Sequence, residues 1–241
     1  MAGKWSGKRI ALVSVAGVVV LLGGAYAVFA FVSGGGEPPV SLGDVDVIVG
    51  ESGSQARPTA EFDGDFEGVW SLVPDASFVG YRVREQLVFL PAPNDAVGRT
   101  SAVEGTLEIA GTDIVATSVT ADLTQLESDE GRRDDAIRSN GLESSAFPSA
   151  TFELTEPIAF SGVPAEGTVV DAEATGELTL HGVTRTVRVP LETRWDGGQI
   201  SVVGSLEIAF ADYDITPPSL GPATVEDHGT IELQLVFAPA A

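Results

Sequence analysis

The chain has 241 residues, no cysteine and a formal net charge of −22. The missing thiols exclude disulfides, thiolate zinc sites, cysteine nucleophiles and a lipidated N-terminal cysteine, so an exported domain must be held by its core alone. Three of the thirteen basic residues, Lys4, Lys8 and Arg9, fall within the first nine positions, which leaves −25 on the rest (−22 minus 3). A surface that acidic repels phosphate backbones and argues against nucleic acid as a partner.

Residues 1–9 form a basic N-terminus, and residues 10–32 are an uncharged run of 23. That run is longer than the roughly 7–15 apolar residues of a signal-peptide core and long enough to cross about 30 Å of hydrocarbon. The expectation is one transmembrane helix, with the basic cluster kept in the cytoplasm and the remainder extracytoplasmic, at the cell membrane. A cleaved signal is the alternative, since Ala25-Tyr26-Ala27 and Ala27-Val28-Phe29-Ala30 offer small residues at cleavage spacing. Residues 33–66, with Gly34-Gly35-Gly36, Pro38-Pro39 and scattered acids, read as a flexible tether. Asp63-Gly64-Asp65 imitates the start of a calcium loop, but Pro74 stands where the bidentate Glu is required.

From residue 67 to 239 the pattern is that of one β domain. Val79, Tyr81 and Val83 alternate with Gly80, Arg82 and Arg84, the period of two that sets a dry face against a wet one. The same period recurs at Val103 to Ile109, Val115 to Leu123, Ala150-Phe152-Leu154, Ala172 to Leu180, Val187-Val189-Leu191, Val202 to Phe210, and Ile231 to Phe237. Eight such segments predict an antiparallel eight-stranded barrel, which hides its edges and has room for one small ligand. Small inward residues, among them Gly105, Ala121, Ala150, Ala174, Gly176 and Gly204, either leave a lumen or face bulky partners in a packed interior. The alternation alone does not choose between them.

Residues 128–139 break the strand rhythm, with Asp129-Glu130 near the start and Asn140-Gly141 just after the end, the expected caps of a short helix whose Ala136 and Ile137 face the barrel. Arg132, Arg133, Asp134, Asp135 and Arg138 suit local ion pairs on a solvated face; alternatively Arg133 and Arg138 form a polar rim that donates to a ligand head group. His181, before Gly182 at a strand end, suits turn chemistry first and a ligand-facing role second. With His181 and His228 the only histidines, no metal is expected. The chain carries no Gly-x-Ser-x-Gly elbow, no phosphate-binding loop and no His-Glu-x-x-His, so no catalytic residue is assigned and no cofactor is expected.

Three pieces in order, Arg132-Arg133-Asp134-Asp135-Ala136-Ile137-Arg138-Ser139, then Phe147-Pro148-Ser149-Ala150-Thr151-Phe152, then Leu178-Thr179-Leu180-His181-Gly182-Val183-Thr184-Arg185, resemble the YceI-like family of polyisoprenoid-binding proteins over roughly Trp70 to Phe237. The chain departs from that family at Ala136, where a His is usual, and at Gly141-Leu142-Glu143, where an acidic aromatic run is usual. The resemblance implies a lipocalin-like barrel whose lumen holds a polyisoprenoid or isoprenoid quinone. Taken with the alternation, it nominates Val79, Tyr81, Leu107, Val119, Phe152, Gly176, Leu178, Leu206 and Phe210 as the lining, and Arg133, Asp134, Arg138, His181 and Arg185 as the polar rim. The implied partner is an isoprenoid lipid, with the membrane reached through the N-terminal helix and the oligomeric state open, a homodimer included. The competing reading is a structural or adhesive envelope module whose barrel is filled by its own side chains.

Overall fold

The computed structural model describes residues 38–45, 66–87, 93–217 and 223–240. The apolar run 10–32, the calcium-like stretch and most of the expected tether therefore lie outside the described residues. Within the described residues no helix is long and apolar enough to cross a membrane.

The strands are β1 (Gly68–Leu72), β2 (Phe78–Leu87), β3 (Asn94–Thr100), β4 (Val103–Ala110), β5 (Asp113–Asp122), β6 (Glu127–Ser128), β7 (Ser149–Leu154), β8 (Val169–Leu180), β9 (Val183–Trp195), β10 (Ile200–Ala209), β11 (Ala223–Val225) and β12 (His228–Pro239). They form one antiparallel sheet, and β12 closes it by pairing with β10 on one edge and with both β1 and β2 on the other. β11 and β12 pair with the same edge of β2, so each of the sets β1/β2, β3/β4, β5/β6 and β11/β12 is one interrupted stave. With β7 to β10 the count is the expected eight.

The interruptions have local causes. Pro74 has no N–H to donate to a ladder, and a 3₁₀ turn at Pro74–Ala76 separates β1 from β2. There the buried Ser77 hydroxyl donates to the Val73 carbonyl at 2.7 Å and accepts from the Val236 N–H at 2.9 Å, replacing the lost pairing. Thr100 accepts from the Ala102 N–H at the β3/β4 break, and Asp122 caps the 3₁₀ turn Leu123–Gln125 between β5 and β6. Beyond these breaks β7 pairs with β5 but not with β6, whose ladder is two residues long on β3. Into that parting of the wall fits α1 (Gly131–Ala136), capped by the Glu130 side chain and continued by a π turn over Ile137–Gly141.

One end of the barrel is plugged. Trp70 and Phe237, each 1% exposed, pack with Ile109 and Trp195, and Phe66 meets Trp195 edge to face at 5.5 Å. The opposite end lies under α1 and the β8–β9 turn, where His181 and Gly182 both have positive φ (51° and 74°), the two-residue hairpin geometry that matches strand twist.

Residues 38–45, inside the stretch expected as a tether, lie on the outer wall. Leu42 and Val45 are buried against Val203 and Val236 of β10 and β12. Arg194 donates to the carbonyls of Leu42 (3.1 Å) and Val45 (3.2 Å), and Arg82 to that of Pro38 (3.2 Å). Arg82 also pairs with the buried Glu232 at 2.7 Å, so the covered wall is polar as well as apolar.

Candidate ligand-binding site

Two cavities of about 120 Å³ each run along the barrel axis. The lower lies inside the closed staves and is walled by side chains such as Leu107, Val119, Phe152, Leu178, Leu191, Val202 and Leu206. The upper lies beneath α1 between Val83, Ala96, Leu126, Ile137, Leu142, Leu180, Phe210 and Ile215. Both touch Val79, Ala150 and Ile231, so the two are neighbouring lobes that share that belt of lining residues.

Of the nine residues nominated as lining, Val79, Leu107, Val119, Phe152, Leu178 and Leu206 border the lower lobe, and Tyr81 and Phe210 border the upper, with Val79 shared. Gly176 is placed otherwise. A Cβ there would stand 2.4 Å from the Phe152 ring and 2.4 Å from the Glu153 carbonyl oxygen, so its missing side chain makes room for an aromatic ring and a neighbouring backbone. Gly98 lies in the same way under the Tyr81 ring, and Gly204 against Leu191. The glycines are thus filled by partners, whereas Ala121, Ala150 and Ala174 border free space.

The five rim residues separate into one that reaches the lumen and four that tie the structure around it. Arg133 borders the upper lobe with its side chain 10% exposed, donating through Nη2 to Glu85 at 2.8 Å and through Nη1 to Asp129 and Ser128. Burial alone would lower the Arg133 pKa, and the bonds to Glu85 and Asp129 carry it above the ordinary arginine value. Asp134 accepts from the Ser128 N–H (3.0 Å) and hydroxyl (2.6 Å), fastening α1 to β6. Arg138 lies on the outside of the insert near Asp135 and the Leu126 carbonyl. His181 is buried with Nδ1 3.0 Å from the Tyr213 carbonyl and Nε2 3.1 Å from Glu143, its ring 4.4 Å from that of Phe147. Both ring nitrogens are therefore occupied in holding the turn. Arg185 is half exposed and donates to the Asp212 carbonyl at 2.7 Å.

Glu85 is the residue the strand pattern left out. It continues the inward phase of Val79, Tyr81 and Val83 and is 3% exposed. An acid in phase with apolar residues is a signal of a buried charge with a partner. Beside the pair sits Tyr81, whose phenol is pushed up to about 12, mainly by burial and partly offset by Arg133 and Ser128. Ser128 Oγ donates to Asp134 and lies beside the Tyr81 hydroxyl, while the Arg133 Nε–H has no partner of hydrogen-bond geometry.

Residues 70–237 match the family described as YceI-like domain. This chain belongs to that family. It is 31% identical over 122 residues to a UPF0312 protein of Vibrio parahaemolyticus and 35% identical over 125 residues to one of Ectopseudomonas mendocina, matching 46% and 49% of this chain and 57% and 59% of theirs. The chain thus spans less than two thirds of those relatives. A solved polyisoprenoid binding domain from Saccharophagus degradans superposes with TM-score 0.55 at 18% identity, covering 72% of this chain and all of that one, and BcnA of Burkholderia cenocepacia with TM-score 0.53 at 19%, covering 68% and 98%. At those identities the superpositions establish a shared YceI-like fold. Among the described residues no group of three or more His, Asp or Glu is placed to hold a metal ion.

Proposed function

We propose that this protein is a lipid-binding protein of the cell envelope that holds the tail of a polyisoprenoid or isoprenoid quinone inside the barrel, for transport, storage or sequestration. The observation that carries the reading is the two-lobed lumen, walled almost wholly by apolar atoms along the barrel axis. Branched aliphatic and aromatic walls suit a prenyl chain, which gains about 0.8 kcal/mol for each methylene removed from water. Binding without catalysis is the proposed activity, and no cofactor takes part in it.

The apolar run 10–32 is proposed as the anchor, with the barrel extracytoplasmic. Five residues separate that run from the docked residue Pro38, a reach of at most about 20 Å. On this reading the docked segment holds the barrel close to the bilayer from which ligand is taken, and the length of free tether on that side is short.

The test is native mass spectrometry of the protein purified gently from its own host, followed by solvent extraction and lipid identification. A stoichiometric isoprenoid is the expected result. A protein that carries none, and takes up none from added isoprenoid vesicles, overturns the reading and leaves a structural envelope module with a filled barrel.

A further inference from the structure

The barrel wall is not laddered all the way round. The parting between β6 and β7 is filled by α1, and the one between the lower parts of β5 and β8 is covered by Ile158, which bridges to Ile114, and by Phe160. A further parting lies between β9 and β10, which pair only from Trp195 and Ile200 to Leu191 and Gly204. Above that point each strand keeps its other neighbour: β9 stays on β8 as far as Val183, and β10 stays on β12 as far as Ala209. Pro190 is the local cause. Its carbonyl oxygen lies against Gly204, 2.9 Å from where a Cβ would stand, so its ring nitrogen faces β10 too and has no proton to donate to the next rung. Carried on in the same register, Val189 would face Leu206 and Val187 would face Ile208 on the inside, with Arg188 opposite Glu207 on the outside. The four inner side chains border the two lobes. Arg188 turns instead to Glu173 of β8, 3.9 Å away. At its top the seam is clasped by Arg185, which donates to the Asp212 carbonyl at 2.7 Å.

We propose that the seam above Pro190 is a side door of the barrel, through which a linear apolar chain enters and leaves the lumen between β9 and β10 and not under α1. This rests on the lipid-binding reading above and adds the route. Separating laddered strands breaks a row of backbone hydrogen bonds and leaves their groups facing an apolar lumen. Separating β9 and β10 above Pro190 breaks no ladder bond. It costs only the contacts of four branched side chains, which re-form around a chain as it passes. Each strand stays held by its other neighbour, so the door moves without unravelling the sheet. The Arg185–Asp212 clasp is half exposed and therefore a weak tie. Passage under α1 must instead break the buried Arg133–Glu85 pair and the Asp134–Ser128 bond.

The chain has no cysteine, so introduced thiols are the only ones present. The experiment uses the full chain in detergent and a linear polyene alcohol, whose own fluorescence rises when it leaves water, with uptake and release followed by stopped flow. Arg188→Cys with Glu207→Cys places two exposed thiols on opposite lips of the seam, and a short cleavable thiol cross-linker fixes it at its resting width. Ser128→Cys with Asp134→Cys, at side chains whose oxygens meet at 2.6 Å, locks α1 to β6 by a disulfide. The seam cross-link is expected to slow uptake and release together, each at least about tenfold, with Kd unchanged within about twofold, and cleaving the linker is expected to restore both rates. The α1 disulfide is expected to leave both rates as they are. Pro190→Val, which supplies the missing N–H, is expected to slow both rates and to protect the amide of residue 190 from exchange. Rates untouched by the seam cross-link, or slowed by the α1 disulfide alone, overturn the side door while leaving a lipid-binding lumen. Failure of the uncross-linked parent to take up the probe overturns the lipid-binding reading itself.

Discussion

Ala150 is where the lumen can be closed with one substitution. It borders both lobes, opposite Ala121 on β5 and beside Val79 and Ile231 at the belt between them. Ala150→Leu adds three carbon atoms to that belt, and each lobe offers about 120 Å³ of free volume to receive them. If the lumen is dry and empty in the unliganded protein, burying three carbons is worth up to about 2.4 kcal/mol at about 0.8 kcal/mol each, less about 1 kcal/mol for imperfect fit. A net gain near 1.5 kcal/mol corresponds to a rise of about 3–6 °C in melting temperature for a domain of this size. A prenyl chain threading the belt must give up the same contacts, so its affinity should fall by roughly 2.4 kcal/mol, about 60-fold. The two effects have opposite signs, and thermal denaturation of the ligand-free protein with titration of a prenyl quinone reads both. A variant that loses stability and keeps its affinity would show that the belt is already packed and that no chain passes between the lobes, and the reasoning would fail.

Three further outcomes follow from other contacts. Glu85→Leu alone leaves Arg133 buried with one exposed partner and should cost about 3–5 kcal/mol, whereas Glu85→Leu with Arg133→Met should recover most of it in urea denaturation; a double variant no better than the single would mean that shape, not charge, is lost. Leu42→Asp should release residues 38–45 from Val203 and Val236, costing roughly 2 kcal/mol from the buried leucine and opening a new proteolytic site there while lipid binding persists; resistance equal to the parent's would show that the docked segment is not held by that side chain. His228 is held above its ordinary 6.5, first by the hydrogen bond to Asp227 and then by Glu226 and Glu207. A raised folded value means that His228 stabilises the fold fully below 6.5 and that this contribution is lost as pH rises through the folded value; Asp227→Asn should move the NMR titration of His228 back toward 6.5, and a parent midpoint at or below 6.5 would refute the pairing.

The staves were legible because one apolar face per strand imposes a period of two, and six of the nine expected lining positions border the lumen from β2, β4, β5, β8 and β10 in that phase, with Phe152 on β7 and the ring of Phe210 just past β10. β3 was not legible. Its inward positions are Ala96, Gly98 and Thr100, small or polar because the Tyr81 ring covers Gly98, so the apolar period vanishes where another strand supplies the bulk. The same physics inverts the role of Gly176: a missing side chain in one strand is read as space until the aromatic on the next strand is known to fill it. The buried cluster around Arg133 was half visible. Arg133 carried a sign of function in its motif, but its partner Glu85 lies 48 residues away and meets it only when α1 fits the parting of the wall. Residues 38–45 hide their docking behind prolines and glycine, with Leu42 and Val45 too far apart to show a period.

The insert that closes the upper lobe is too short to be a helix by itself. Six α-helical residues and a π turn fall well below the roughly 12–15 needed for even a good helix former to persist in water. Its order must come from the Arg133–Glu85 and Asp134–Ser128 ties and from Ile137 and Leu142 against the lumen. With the lumen empty, those two apolar side chains face free volume and lose part of their contact. On the proposed function a bound chain restores it, which would make ligand binding and the order of residues 131–142 one coupled equilibrium. At a ligand concentration a hundred times Kd, opening that requires release of the ligand becomes harder by about 2.7 kcal/mol, and amide exchange across 131–142 should slow about a hundredfold. The strands of the plugged end, held by Trp70 and Phe237, should change far less. Exchange that slows uniformly over the barrel but not in 131–142 would mean that the insert opens with the ligand in place, and that it frames the lumen without gating it.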